Sequence, residues 1–308
     1  MEIQPNTLSK IKLFWALSRT PHGIVDLAAP ALAALLCIGE FPPLRVMILG
    51  CITAFAGYTA VYALNDLVDY RTDREKAAAG GYGDEGGYID SVWVRHPLAK
   101  GVLGFYEGLV WAVAWAVVAM VGAFLLNPVC LYIFLGGCGL EAVYCLLWKI
   151  SPFRAVINGI VKTCGAAAAI YAVNPSPSLV FLLVTILWIF FWEIGGQNIP
   201  NDWTDLEEDR KFKAQTIPVR FGLPAASLIL TLSLVISFLL NQVLFVVSNV
   251  DFAPYHYLAA AIVSAWLLLI PAVSLYNTGS REKAMALFNR ASYYPLAMLI
   301  LVLSRILC

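Results

Sequence analysis

Charged side chains are scarce in this sequence. Lys, Arg, Asp and Glu make up 13% of the 308 residues, against roughly 25% in an average soluble domain. With 60% hydrophobic residues over this length, too little polar material remains to cover a water-soluble surface. The composition therefore disfavours a soluble domain and predicts an all-α, polytopic membrane protein. The formal net charge is zero, so bulk charge indicates no nucleic-acid partner.

Cysteine and histidine motifs are also missing. The seven cysteines form no CxxC pair, and most of them lie within apolar runs. We interpret them as small packing residues rather than as a disulfide framework or a metal site. The three histidines, His22, His96 and His256, are far apart in the sequence, and none belongs to a zinc-type motif.

Long apolar runs are abundant instead. A membrane-spanning helix needs about 20 mostly apolar residues. Nine segments satisfy this requirement: 21–39, 44–64, 105–126, 128–148, 155–173, 178–198, 225–248, 255–276 and 290–307. Pro and Gly residues punctuate the gaps between them. We therefore predict nine transmembrane helices.

The basic residues are distributed unequally between the two ends of these helices. All but three of the 20 Lys and Arg residues lie on the side that holds the N-terminus, the exceptions being Arg45, Lys162 and Arg305. Basic residues are enriched in cytoplasmic loops. We therefore predict a cytoplasmic N-terminus, and a C-terminus on the opposite side.

Two acidic stretches follow the second and the sixth predicted helices. NDLVDYRTD occupies residues 65–73, and NDWTDLEED repeats its pattern 136 residues later, at 201–209. Both stretches fall on the predicted cytoplasmic side because an even number of helices separates them. We predict a single membrane domain, 1–308, that contains a parallel repeat of two four-helix units. The units are about 20–150 and 155–285, and the ninth helix is 290–307.

The aspartates within each stretch are spaced i, i+3, i+7, which predicts one shared helix face. Three like charges on one face repel unless a cation neutralises them, and Mg²⁺ prefers carboxylate and phosphate oxygens. Two opposed faces would hold Mg²⁺ and a diphosphate between them. The alternative for a single stretch is a solvated acidic loop. The predicted metal ligands are Asp66, Asp69, Asp73, Asp202, Asp205 and Asp209, with Asn65 and Asn201 as neighbouring substrate-binding residues. Among them, Asp66, Asp69 and Asp202 are predicted to be catalytic.

Basic residues on the same side are candidates for contact with a diphosphate, Arg as a bidentate fork and Lys as a point charge. The predicted set is Arg71, Arg95, Lys149, Arg154 and Lys213. We expect only some of them to touch phosphate, because each is also a marker of the cytoplasmic side.

Polar residues also occur within the apolar helices. Tyr58 and Tyr62 precede the first acidic stretch on the same helical face and are candidates to stabilise an allylic cation. A carboxylate inside the membrane, such as Glu193, is a functional candidate because its burial is unfavourable. Asp26 and Lys162 have opposite charges in different predicted helices and could pair.

At these positions the sequence resembles the UbiA superfamily of intramembrane prenyltransferases. NDLVDYRTD matches the superfamily's NDxxDxxxD motif, and NDWTDLEED satisfies the same pattern at the second site. RHPLAKG, residues 95–101, resembles an RPLxxG-type segment, with His96 interrupting the Arg-Pro pair. The run 209–222 resembles the segment that leads into the seventh helix.

The resemblance implies further assignments. Tyr144 and Lys149 look like the superfamily's fourth-helix tyrosine and lysine, and Asn158 resembles a fifth-helix asparagine. The resemblance implies a catalytic role for Tyr144 and substrate binding by Lys149 and Asn158, while Tyr62 is predicted to be catalytic from its position on the face that leads to the first acidic stretch. The implied fold is a nine-helix bundle around a central cavity, and the implied activity is Mg²⁺-dependent transfer of a prenyl group from a polyprenyl diphosphate.

Three questions stay open at this point. The acceptor is expected to be hydrophobic, most often an aromatic quinone precursor, although a lipid-type alcohol or the end of a carotenoid could serve instead. The alternative activity is that of a UbiA-type terpene cyclase, which needs no second substrate. A transporter is disfavoured because the aspartates lie at helix ends on one side only.

The glycine-rich segment 77–94 is predicted to be a flexible cytoplasmic loop, as either a lid or an insertion. Association with membrane lipid is expected, and a homo-oligomer is left open.

Overall fold

The computed structural model of the protein describes residues 7–80, 87 and 93–307. All regular secondary structure in this part of the chain is helical. It contains nine helices long and apolar enough to cross a membrane, which confirms the predicted fold class. These spans, numbered first to ninth, are Thr20–Ile38, Leu44–Val68, Phe105–Leu126, Pro128–Leu146, Arg154–Val173, Leu179–Thr204, Ile217–Val247, Pro254–Thr278 and Arg281–Ile306.

Three shorter helices lie outside the spans, at Thr7–Leu17, Tyr70–Ala78 and Leu206–Lys211. Several spans extend beyond their predicted bounds, and the ninth begins at Arg281 rather than at residue 290. The apolar pattern marks only the hydrophobic part of a helix. The helix itself continues through polar turns, as the Ser280 side chain shows by capping Arg281–Ser292 through the backbone N–H of Lys283.

The outer surface of the bundle is apolar. Large hydrophobic side chains are exposed along several spans, among them Val110, Val121, Leu183 and Leu239. A surface of this kind is stable against lipid and unstable against water. Together with the nine spans, it identifies an integral membrane protein.

Buried aromatic side chains connect the sixth span to the end of the chain. The Trp188 indole N–H donates to the Tyr294 hydroxyl at 3.4 Å, and that hydroxyl lies 3.1 Å from Ser264 Oγ. The Trp192 indole N–H donates to the carbonyl of Ala291 at 3.0 Å. These bonds fix the sixth, eighth and ninth spans to one another, and the sixth span carries the second acidic stretch.

The first span ends at Ile38, and the next residue, Gly39, adopts a left-handed backbone conformation with a φ of 80°. The loop between the seventh and eighth spans packs directly against this residue. A Cβ at Gly39 would lie only 3.0 Å from the carbonyl carbon of Asn249.

We expect Gly39→Ala to lower the free energy of unfolding by about 2–4 kcal/mol, because an unfavourable backbone conformation adds to a clash with rigid main chain. Gly279 is the matched control, since its φ is 62° but no atom lies within 4 Å of its added Cβ. Gly279→Ala should cost about 1 kcal/mol. Detergent unfolding measures both variants, and equal losses would contradict the clash.

The predicted flexible segment 77–94 falls mostly outside the described residues. Ala78 ends the helix that carries the third aspartate of the first stretch. The carbonyl of Gly87 accepts a hydrogen bond from Asn289 Nδ2 at 2.6 Å, so this residue contacts the ninth span.

Candidate active site

Both acidic stretches are interrupted by a helix break at the middle aspartate. The second span ends at Val68, Asp69 follows, and a new helix begins at Tyr70. The second stretch behaves in the same way around Asp205, between Ile199–Thr204 and Leu206–Lys211. The aspartates of each stretch therefore do not lie on one uninterrupted helix, although hydrogen bonds from the backbone N–H of Asp73 to Asp69 and of Asp209 to Asp205, both 2.8 Å, continue across the break. Spacing alone cannot detect the break, because i, i+3, i+7 also fits an unbroken helix.

The structure brings the two stretches to one polar cavity of about 300 Å³. Both stretches contribute to its acidic lining, which includes Asp69, Asp73, Asp202, Asp205, Glu207, Glu208 and Asp209, with Asn65 and Asn201 beside them. Asp66 is buried next to this cavity, with Oδ1 3.6 Å from Nδ1 of the lining residue His96. Asp209 is held by Thr216, whose hydroxyl donates to its carboxylate at 3.1 Å.

Among the described residues, five basic side chains line the same cavity: Arg19, Lys76, Arg95, Arg154 and Arg281. Arg19 donates to Asp66 Oδ1 at 3.0 Å and to Asn65 Oδ1 at 3.1 Å, which ties the start of the first span to the end of the second. Arg154 is buried, with its guanidinium 4.1 Å from the centre of the Tyr144 ring. The cavity can therefore hold an anion as well as cations.

Three of the predicted phosphate contacts do not line this cavity in the described part of the chain: Arg71, Lys149 and Lys213. Arg71 lies two residues from Asp73 on the same helix. Because each residue rotates the helix by about 100°, the Arg71 side chain lies on the opposite face, where it is exposed. Lys149 is exposed and lies 3.9 Å from Glu75. The enrichment of basic residues on one side of the membrane shows only on which side a residue lies. It cannot distinguish residues that line a cavity from those on its outer rim.

Burial and mutual repulsion raise the pKa values of the aspartates that lie beyond the membrane spans. Burial, reinforced by Asp73, raises the pKa of Asp69 to about 6. Burial raises the pKa of Asp209 to about 6, although Lys76 acts in the opposite direction. Burial also raises the pKa of Asp205, against the effect of Arg95. The basic residues therefore do not fully neutralise these carboxylates, and a bound cation would stabilise their charged forms.

Two buried polar atoms in the cavity wall have no hydrogen-bond partner among the described residues. They are Oδ2 of Asp202 and Nε of Arg154, in side chains that are 5% and 6% exposed. Buried polar atoms are normally paired. An acceptor and a donor in this state fit a site that binds a cation and an anion together.

A second and larger cavity, of about 520 Å³, extends into the bundle. Most of its lining is apolar, and it includes the predicted residues Tyr58, Tyr62 and Asn158. Residues that line both cavities mark where the two meet: Arg19, Asn65, Arg95, Tyr144 and Asn201. A polar end thus leads into an apolar chamber within the membrane.

A charged cluster lies in the wall of the large cavity. Lys162 Nζ donates to Asp26 Oδ2 at 2.6 Å and lies 3.9 Å from Glu193 Oε2. The Tyr62 hydroxyl donates to the same Asp26 oxygen, and Asn158 donates to Glu193 at 2.9 Å. The pairing of Asp26 with Lys162 that the sequence suggested is present.

Glu193 also begins a π-helical turn, Glu193–Asn198, inside the sixth span. Glu193, Gln197 and Asn198 of this turn line the large cavity. Such turns occur frequently at functional sites. The spacing of four residues between polar side chains from Glu193 to Asp205 did not indicate this π-helical turn.

Among the described residues of the polar cavity that sequence reasoning missed are the basic and imidazole side chains of Arg19, Lys76, His96 and Arg281. Arg281 is 77 positions from its partner, the carbonyl of Thr204, to which Nε donates at 2.9 Å. Only the tertiary fold brings it to the site. His96 carried a usable signal, since it interrupts an Arg-Pro pair that directly precedes a turn.

Comparison with known proteins gives a family assignment. The model of the UbiA prenyltransferase family matches residues 27–293. Digeranylgeranylglyceryl phosphate synthase of Thermococcus sibiricus is 23% identical over 218 residues, 71% of each chain. 4-Hydroxybenzoate octaprenyltransferase of Idiomarina loihiensis is 24% identical over 223 residues, which cover 70% of this chain and 71% of that protein.

Solved structures share the fold. A UbiA homolog from Aeropyrum pernix K1 superposes with a TM-score of 0.72 at 17% identity, covering 92% of this chain and 97% of that one. A UbiA homolog from Archaeoglobus fulgidus bound to DMAPP and Mg²⁺ has a TM-score of 0.66 at 18% identity, covering 95% and 98%. These similarities place the chain's helices in a known arrangement.

Proposed function

Because the chain belongs to the UbiA prenyltransferase family, we propose that it transfers a prenyl group from a prenyl diphosphate to a hydrophobic acceptor, with Mg²⁺ as cofactor. The observation that carries this proposal is the meeting of two cavities. Acidic and basic side chains line the polar one, and the apolar one continues into the membrane-spanning bundle. A substrate with a charged head and a long apolar tail matches that division.

The proposed metal ligands are the six aspartates of the two stretches, assisted by Asn65 and Asn201. Their oxygen atoms are the ligands that Mg²⁺ prefers, and the Oδ2 of Asp202, which has no hydrogen-bond partner among the described residues, fits a bound cation. Bound Mg²⁺ would supply Lewis-acid stabilisation of the charge that develops on the leaving diphosphate. The Archaeoglobus fulgidus homolog bound to DMAPP and Mg²⁺ supports the choice of metal.

Among the basic residues, Arg154 and Arg95 are the proposed diphosphate contacts that both the sequence and the cavity support. Arg154 is fixed against the Tyr144 ring, so its guanidinium is oriented before substrate arrives. We expect Arg154→Lys to lower kcat/KM about 10–100-fold, mainly through KM, because lysine cannot form the bidentate contact.

Arg74 provides the matched control for Arg154. Its guanidinium is exposed and donates to the Tyr70 hydroxyl at 3.3 Å, on a helix that also carries Asp73. Arg74→Lys should leave KM unchanged in a steady-state assay of diphosphate release. An equal rise of KM in both variants would show that the effect does not come from a bidentate contact specific to Arg154.

The prenyl chain is proposed to occupy the large cavity. Its reactive end would lie near Tyr144, Asn65 and Asn201, where the cavities meet. Tyr58 and Tyr62 present aromatic rings beside the chain and can stabilise positive charge on the allylic carbon. The apolar lining excludes water, which would otherwise capture that carbon as an alcohol.

The acceptor is proposed to be an aromatic, quinone-type precursor. The names of the two relatives indicate different acceptors, so they support the transfer of a prenyl group and leave the acceptor to experiment. Purified protein in nanodiscs should release diphosphate from prenyl diphosphates only when both Mg²⁺ and an acceptor are present. A cyclic hydrocarbon formed without an acceptor would overturn the transferase proposal and support a terpene cyclase.

The polar cavity is proposed to open to the cytoplasm, as the distribution of basic residues predicts. A single cysteine introduced at exposed Glu75, in a cysteine-free background, should react with a membrane-impermeant maleimide only after the cell is opened. Labelling of intact cells would reverse the proposed orientation.

A further inference from the structure

His96 has an unusual backbone conformation in the wall of the polar cavity. Its φ is 51°, in the left-handed region that few residues other than glycine adopt. The turn is closed by a hydrogen bond from the backbone N–H of Lys100 to the His96 carbonyl at 3.1 Å. Strained backbone of this kind is concentrated at functional sites. In the sequence, His96 stands between Arg95 and Pro97.

The ring of His96 lies between two aspartates of the first stretch. Its Nδ1 is 3.6 Å from Asp66 Oδ1 and 3.4 Å from Asp73 Oδ2. One ligand atom from each of the three side chains lies within 4.8 Å of the other two. Ligands of an octahedral ion at about 2.1 Å are separated by about 3 Å when adjacent and by about 4.2 Å when opposite. The three atoms therefore need only a small movement to share one ion.

An independent observation indicates a cation in the same cavity. Asp202, from the second stretch, is 5% exposed, and its Oδ2 has no hydrogen-bond partner in the described part of the structure. It lines the cavity together with His96 and Asp73. A buried carboxylate oxygen in this state is available to a ligand in the cavity, and a divalent cation is a ligand that carboxylate oxygens favour.

We propose that His96 is a nitrogen ligand of one divalent ion in this site, together with Asp66 and Asp73. Mg²⁺ prefers oxygen ligands, whereas an imidazole nitrogen favours first-row transition ions. The site therefore binds Mn²⁺ more tightly, relative to Mg²⁺, than a site of oxygen ligands would. This inference rests on the proposed function, because it requires that the first stretch binds a divalent ion.

The competing explanation is an ion pair. His96 would then contact the two carboxylates only in the metal-free protein and would move away when an ion binds. Both explanations account for the distances of 3.4 Å and 3.6 Å. They differ in whether the imidazole nitrogen is bonded to the ion, which a spectroscopic measurement detects directly.

The test is pulsed electron paramagnetic resonance of Mn²⁺ bound to the full-length protein in nanodiscs. We expect nitrogen coupling from a directly bonded imidazole, which changes to the ¹⁵N pattern when histidine is labelled. His96→Gln should abolish this coupling and weaken Mn²⁺ binding at least about tenfold, with a smaller effect on Mg²⁺. His256→Gln is the control and should retain the coupling, because the 31-residue seventh span separates His256 from the cavity.

The outcomes separate this inference from the proposed function. Mn²⁺ that binds to the wild type without nitrogen coupling, and is lost in Asp202→Asn, would overturn the role of His96 and leave the metal site intact. A wild-type protein that binds neither Mn²⁺ nor Mg²⁺ in this cavity would overturn both proposals. The wild-type spectrum decides the question even if His96→Gln fails to fold.

Discussion

Asp202→Asn is expected to reduce the rate of prenyl transfer by about 10²–10³-fold while the protein still folds. The amide has nearly the same shape as the carboxylate, and the buried Oδ2 that it replaces has no hydrogen bond to lose among the described residues. The substitution removes a negative charge that is proposed to hold Mg²⁺ against the leaving diphosphate. Removing a single preorganised electrostatic group of this kind costs about 10²–10³ in rate. Diphosphate release at saturating substrate measures the effect.

Glu75→Gln is the control for this variant. It also removes one negative charge near the polar cavity, but the Glu75 side chain is 67% exposed and lies 3.9 Å from Lys149 on the outer rim. Surface ion pairs contribute little, so the rate should stay within about twofold of the wild type. A wild-type rate for Asp202→Asn at limiting Mg²⁺ would refute its assignment as a metal ligand.

Lys162→Met is expected to lower the free energy of unfolding by about 3–5 kcal/mol. Lys162 is the cation between Asp26 and Glu193 in the wall of the large cavity, at 2.6 Å and 3.9 Å. Removing it leaves buried carboxylates without a counter-charge, and the breaking of a buried pair is strongly destabilising for that reason. Unfolding in mixed detergent micelles provides the measurement.

A second substitution separates charge from packing. If the loss comes from uncompensated charge, Asp26→Asn in the Lys162→Met background should recover a substantial part of the stability. If the methionine instead disturbs the packing, the double variant should be no more stable than the single one. An unchanged stability of Lys162→Met would show that the cluster does not require this cation.

The membrane spans could be predicted from the sequence because a span is recognised from local information alone. Each span is a run of about 20 apolar residues, and the lipid requires its backbone to be helical. The contact between Asp26 and Lys162 could be predicted from the sequence because two opposite charges within apolar helices have few other partners. The parallel repeat of two four-helix units stays a prediction, although Asp69 and Asp205 break their helices in the same way.

The composition of the polar cavity was less predictable. Asp69, Asp73, Asp202, Asp205 and Asp209 line it, because the motif itself specifies where acids occur. Which basic residues join these acids depends on which side chains the fold directs into the cavity. Neither the predicted side of the membrane nor the spacing of residues in the sequence contains that information. Arg19 lies 47 positions from Asp66 in the chain yet donates to it, while Lys149 points to the rim.

The most direct test of the account is the binding of a non-reactive prenyl thiolodiphosphate, measured by calorimetry with the protein in nanodiscs. The account predicts that binding requires Mg²⁺, and that Asp66→Asn and Asp202→Asn each abolish it, because both acidic stretches are needed to hold the same diphosphate. Binding of equal affinity without Mg²⁺, or in either variant, would contradict it.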